Sequence, residues 1–287
     1  MKNAFLLTVM GFSLVVSLVS FHLANESYKM NEEAELRIKE IGGEIRPREL
    51  VFLKEHDINV ISEGYKAPFS FFGVTKISVP VVNQYPELPV GCEIAASTAY
   101  LNYVGVDVGK MTLREYISES YKFTYKDGVR KGPDPYRVFV GNPEKNGFGC
   151  YDMVVVRMLN RYFDENELSY KAMKVEGATQ TDLETLLDGG VPVIVWASLD
   201  MRPFEYPETN EWILETTGEE FCWPKNSHAL VLCGYDENDY YFSDSNNKDD
   251  IVKYKKSVFL DRWEEFGSQG VIVVLDGESE EKNTESE

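Results

Sequence analysis

The sequence predicts an α+β domain on three observations. Helix-periodic segments come first along the chain and strand-like runs come later, so the two do not alternate as a doubly wound parallel sheet would require. Two of the late runs are joined by Asp236-Glu237-Asn238, a hairpin signal. With 287 residues, 43% of them hydrophobic, the chain has material for one large domain with a core.

The N-terminus reads as something other than the fold. No charged side chain interrupts residues 4–23, and about 20 apolar residues span a bilayer as a helix. Residues 1–23 are therefore expected to be a signal peptide or an uncleaved membrane anchor, with Lys2 as the single basic residue before the run. Either reading makes the protein extracytoplasmic, as a membrane-held domain or as a secreted one. Residues 24–75 are polar, with a helical patch over 33–41, and read as an N-terminal extension or stalk. The domain is expected over 76–275.

Within the domain, 76–82 is strand-like and ends in a loop punctuated by Pro86 and Pro89. Ile94, Ala95, Thr98, Leu101 and Val104 recur at helical spacing, so 91–104 is a helix that Gly105 stops. A second short helix covers 111–117. Residues 122–149, rich in Gly, Pro, Asp and Lys, read as one long loop. A third helix is predicted over 151–163, with Met153, Val156 and Leu159 inward. Thr181 and Glu184 have capping-box spacing and open a fourth, which Gly189-Gly190 ends. The nearly continuous apolar run 191–198 predicts a central strand. An aromatic-rich insertion over 202–226 separates it from the strands 228–235 and 239–243. A short helix over 257–266 and a last strand over 269–275 complete the domain. The tail 276–287 is acidic, lacks apolar residues and is expected to be disordered.

The formal net charge of −19 disfavours nucleic acid as a partner, because a phosphate backbone needs a basic surface. No cofactor is implied, and no His/Cys cluster has metal-ligand spacing. Of the four cysteines, Cys233 lies in an apolar run and reads as a small buried hydrophobe. Cys150 with Cys222 is the one disulfide the sequence invites.

The fourth, Cys92, opens a helix just after the Pro-punctuated loop. A cysteine attacks as thiolate, and a helix N-terminus and a neighbouring imidazolium both lower its pKa. The chain has three histidines. His22 falls in the apolar N-terminal run and His56 in the extension, which leaves His228 as the base. Asp244 ends the strand that pairs with that of His228, at the same end of the hairpin, and so can orient the imidazole. Asn246 or Asp236 could substitute, although Asp236 lies at the turn end. An oxyanion needs donors; the Cys92 N–H is one and the side-chain amide of Gln84 the natural second. Glu93, beside the thiol, opposes thiolate formation if it faces inward.

These residues resemble a known family. Val-Pro-Val-Val-Asn-Gln-Tyr-Pro-Glu-Leu-Pro-Val-Gly-Cys-Glu over 79–93, Gly-Cys-Tyr at 149–151, Gly-Gly-Val-Pro-Val-Ile-Val-Trp at 189–196, and His-Ala-Leu-Val-Leu-Cys-Gly-Tyr-Asp with Tyr-Phe-Ser-Asp look like stand-alone relatives of the bacteriocin-processing (double-glycine leader) cysteine peptidases. These occur as exported or anchored proteins of Gram-positive bacteria. The resemblance implies a papain-like fold, in which N-terminal helices carrying the Cys pack on an antiparallel sheet carrying His and Asp. It implies Cys92 as nucleophile, His228 as base, Asp244 as orienter and Gln84 in the oxyanion hole. Transporter-fused members have Asp-Cys-Gly at the nucleophile and commonly Pro after the aspartate, where this chain has Gly91-Cys92-Glu93 and Ser245. No ATP-binding cassette motif follows, so cleavage coupled to export does not carry over. The expected activity is hydrolysis of a peptide bond. A cell-wall peptide hydrolase or amidase, or an inactive surface binding module of the same fold, are the alternatives.

Overall fold

A computed structural model describes residues 61–62, 64–71, 73–247 and 251–276. The segment expected to be an anchor or signal, the patch over 33–41 and the acidic tail beyond Asp276 lie outside them. No helix among the described residues is long and apolar enough to cross a membrane.

The first strands among the described residues are the hairpin β1 (Phe69–Phe71) and β2 (Val74–Lys76), followed by helix α1 (Cys92–Tyr103) and the short α2 (Lys110–Arg114). Five short strands follow: β3 (Glu119–Ser120), β4 (Thr124–Lys126), β5 (Val129–Gly132), β6 (Phe139–Asn142) and β7 (Asn146–Gly149). Helix α3 (Asp152–Glu165), β8 (Tyr170–Lys174), α4 (Gln180–Asp188) and β9 (Val193–Ser198) lead to β10 (Glu211–Leu214) and β11 (Glu220–Cys222). The hairpin β12 (Ser227–Tyr235) and β13 (Asp239–Ser243), β14 (Val252–Lys255), α5 (Lys256–Glu265) and β15 (Gly270–Leu275) close the fold.

Among the described residues the main sheet has eight strands in the order β1-β2-β12-β9-β15-β8, with β13 on β12 and β14 on β13. Every pairing in it is antiparallel. All six residues of β9 are buried, as its apolar run requires of an interior strand. Helix α1 packs on β12 and α3, and α3 packs on β8 and β15.

Helix α1 is buried on all sides from Glu93 to Leu101, so its stability comes from packing rather than from an amphipathic stripe. Its end is chemically explicit. Gly105 adopts φ +91, Gly105 N–H bonds Asn102 O at 3.3 Å and Val106 N–H bonds Leu101 O at 2.9 Å. That double bond pattern around a left-handed glycine is the Schellman stop.

Three expectations need correction. Residues 122–149 are not one loop: they hold β4 and β5, joined by Asp127 (φ 53) and Gly128 (φ 79), and the β6–β7 pair. An Asp-Gly pair with both φ positive is a tight hairpin turn. In the second pair Gly141 and Gly147 pass so close that a Cβ on Gly141 would lie 2.2 Å from Gly147 Cα, so two glycines that look like loop residues are partners in an antiparallel strand pair. The fourth helix starts earlier than expected. Its capping box is Thr179 with Asp182, both reciprocal bonds present, not Thr181 with Glu184. The strand expected over 76–82 is β2, ending at Lys76; Ile77 N–H still bonds Cys233 O at 2.8 Å, but Val79 N–H then turns back to Ile77 O at 2.9 Å, and Pro80 has no N–H to give.

Candidate active site

Helix α1 begins on Cys92 itself, with Gly91 as N-cap and no side-chain cap. The first-turn N–H groups are thus left for whatever lies before the helix. The loop ahead is fixed by Lys110, whose Nζ donates to Asn83 O at 2.6 Å and Gln84 O at 3.2 Å and pairs with Glu87 at 2.6 Å. Within it Leu88 N–H bonds Gln84 O at 2.9 Å. Gln84 is buried; its Nε2 donates to Pro89 O at 3.1 Å and its Oε1 accepts from Ser245 Oγ at 2.8 Å. One N–H of the amide is left over.

The sheet brings the partners. Ala229 N–H, at the start of β12, donates to Cys92 Sγ at 3.4 Å. The preceding residue is His228, buried, with Nε2 2.6 Å from Asp244 Oδ1. Asp244 Oδ1 also accepts Asn246 N–H at 2.9 Å, and Oδ2 accepts from Asn247 Nδ2 at 3.1 Å. Burial pushes the Asp244 carboxyl up, but the hydrogen bond and charge of His228, with these two donors, outweigh it and hold the group below the usual carboxylate range. An ionised carboxylate can only accept, so Nε2 carries the hydrogen and Nδ1 is the nitrogen with a lone pair. Asp236, at the turn end, instead accepts from Tyr241 OH at 2.6 Å.

Cys92, His228 and Gln84 line one cleft of about 310 Å³ with Tyr85, Phe148, Trp223 and Asn246. The structure therefore brings together the thiol, the imidazole, the aspartate behind it and the glutamine, although these lie as far as 160 residues apart, from Gln84 to Asp244. Among the described residues no group of three or more His, Cys, Asp and Glu could hold a metal ion. All four cysteines are free thiols, so Cys150 and Cys222 are not bridged; Cys150 is buried, while the half-buried Cys222 Sγ donates to Pro207 O at 3.6 Å.

The thiol runs against the expectation from its helix start. Burial pushes Cys92 well above the ordinary cysteine range, and the neighbouring Glu93 carboxylate adds to this, outweighing the Ala229 N–H that favours the thiolate. Sequence reading placed Glu93 beside the thiol but could not say which way it faces. It faces in, 2% exposed, with Oε2 accepting from Cys92 Sγ at 3.4 Å. One other group was missed. Ser245, which stands where the resembling family commonly has Pro, ties the Gln84 amide to the Asp244 turn. The aromatic insertion gives the cleft Trp223, whereas Trp212 packs inside a cluster with Phe123, Phe148 and Phe221. Nothing in the spacing of these aromatics distinguishes the two.

The sequence matches the Peptidase C39-like family over residues 76–271. It is 28% identical over 193 residues to the uncharacterised protein YvpB of Bacillus subtilis (strain 168), covering 66% of this chain and 70% of that one. Its fold is similar to a crystal structure described as a C39-like peptidase from Bacillus anthracis, with a TM-score of 0.59, 28% identity, and coverage of 69% of this chain and 94% of the other. With an antiparallel sheet that carries the histidine and aspartate and a helix that presents the cysteine, the chain belongs to the Peptidase C39-like family.

Proposed function

We propose that this protein is a cysteine peptidase that hydrolyses a peptide bond through Cys92, His228 and Asp244, with Gln84 as oxyanion donor. The observation that supports it is that sulfur and imidazole line one cleft, with a buried carboxylate 2.6 Å behind the imidazole. His228 Nδ1 takes the thiol proton as the sulfur attacks the carbonyl carbon. The oxyanion accepts from the Cys92 N–H and the remaining Gln84 N–H. The imidazolium then protonates the leaving amine, and a water that has given its proton to His228 cleaves the thioester. Asp244 holds the ring in the productive tautomer throughout.

The test is hydrolysis of an unstructured peptide library by wild type and Cys92→Ser. Loss of all cleavage in the variant supports the reading; equal cleavage by both sinks it. One observation favours a second reading, an inactive binding module: the thiol is raised rather than lowered. Thiol alkylation decides between them, since an inactive module predicts a Cys92 rate that His228→Ala leaves unchanged. The peptide bond is proposed to lie outside the cytoplasm, with residues 1–23 exporting or anchoring the domain. Protease accessibility on intact cells tests this, and full protection would overturn it.

A further inference from the structure

We propose that Glu93 is a positioning residue of this same reaction: its buried carboxylate holds the Cys92 thiol hydrogen between turnovers, and the sulfur attacks only after that hydrogen passes to His228. This rests on the reading of Cys92 as nucleophile.

The site that holds Glu93 is built on several sides. Its Oε2 accepts from Cys92 Sγ at 3.4 Å and its Oε1 from Cys150 N–H at 2.9 Å. The Cys150 peptide is itself anchored, since Trp196 Nε1 donates to Cys150 O at 2.9 Å. Gly149 leaves the space: its φ is +133, and a Cβ there would stand 2.6 Å from Glu93 Oε1 and 2.9 Å from Trp223 Cζ2. No lysine or arginine is paired with Glu93 among the described residues. The titratable groups that face it are Cys92 on its own helix, Cys150 before α3 and His228 on β12.

The hydrogen-bond pattern at the sulfur says what state this arrangement favours. Sγ accepts one N–H, from Ala229, and donates once, to Glu93. A thiol beside an ionised Glu93 satisfies both contacts, and the Sγ to Oε2 approach of 3.4 Å needs one proton between the two atoms. A thiolate and a carboxylate in contact, both desolvated, would be two anions with no cation between them, so the pair retains a proton. Burial pushes the Glu93 carboxyl up as well, against the Cys150 N–H and the charge of His228. The helix start, which by itself would favour a thiolate, is countered by the acidic side chain at the second helical position.

The discriminating variant is Glu93→Gln. It keeps an oxygen for the Cys150 N–H and removes the charge beside the sulfur. The rate of Cys92 alkylation is followed against pH, the signal being isolated by subtraction of Cys92→Ser. Loss of one adjacent like charge lowers the midpoint by about one pH unit, and alkylation below both midpoints rises about tenfold. A profile that overlays wild type, or moves to higher pH, overturns the proposal. If Glu93→Gln does not fold, the wild-type S–H infrared stretch, assigned by its absence in Cys92→Ser, gives the answer. The band shifts as Glu93 titrates if the carboxylate holds the thiol, and stays constant if it does not. Should Cys92→Ser hydrolyse peptides as wild type does, the nucleophile reading fails whatever the profile; an inactive Cys92→Ser with an unmoved Glu93→Gln profile defeats the Glu93 proposal alone.

Discussion

Glu93 and Asp244 are both carboxylates just behind the cleft, one against Cys92 and the other against His228, and each is 2% exposed. Burial pushes both upward, yet Asp244 ends below its ordinary range and Glu93 above. The difference lies in the donors. Asp244 receives the histidine Nε2–H, a backbone N–H and an asparagine amide, one of which carries charge when the ring is protonated. Glu93 receives one outside backbone N–H and a weak thiol donor, and meets the charge of His228 only through space. Equal surface exposure thus yields opposite acids: Glu93 is enclosed more deeply than Asp244, and a desolvated charge is stabilised only by the dipoles and charges arranged around it. The sheet side of the cleft is built to keep its carboxylate charged, while the helix side is built around a carboxylate that resists charging.

The largest expected effect tests the sheet side. His228→Ala removes the base and should lower kcat/KM on the order of 10³-fold or more, measured on whichever peptide the library identifies. An unchanged rate would show that the His228–Asp244 pair is not what activates the sulfur. Asp244→Ala should cost on the order of 10²-fold or more in kcat, because the ring loses its tautomer and orientation. The same carboxylate predicts an acid limb of stability. Its folded pKa lies below the unfolded value of about 3.9, so its contribution is complete above that value and is lost as pH falls through the folded pKa. Thermal melts below about pH 4 should therefore converge for wild type and Asp244→Asn after diverging at neutral pH.

For Glu93 the sign reverses. A raised folded pKa means stability present below the unfolded value of about 4.3 and lost as pH rises through the folded one. Glu93→Gln should then raise Tm at neutral pH, an increase that vanishes in acid. A destabilised variant at neutral pH would break the contrast between the two carboxylates. The smallest effect concerns the bridge between the halves. Ser245→Ala frees Gln84 Oε1 and should reduce kcat about fivefold with KM little changed, the value of one hydrogen bond to an orienting amide.

Much of the fold is legible along the chain. The run 191–198 reads as the interior strand it is, and Asp236-Glu237-Asn238 joins β12 to β13 as expected. What was lost was local geometry carried by small residues. Gly141 and Gly147 look like loop punctuation, and only their approach to each other makes them a strand pair. Thr181 and Glu184 satisfy the capping spacing as well as Thr179 and Asp182 do by position; the tertiary position of the helix start chose the latter.

At the candidate site the sequence by itself determined which groups were available: one histidine in the expected domain, one cysteine at a helix start, one aspartate at the matching end of a hairpin. Elimination and strand order suffice for that, because pairing rules place hairpin ends side by side. Only the tertiary structure decided the direction in which Glu93 points and its burial behind the cleft-lining Cys92. Those depend on Gly149 lacking a side chain and on the Cys150 N–H aimed at the carboxylate, 57 residues away in sequence. Electrostatics at short range follows from which dipoles face a charge, and facing is set by packing, not by order along the chain.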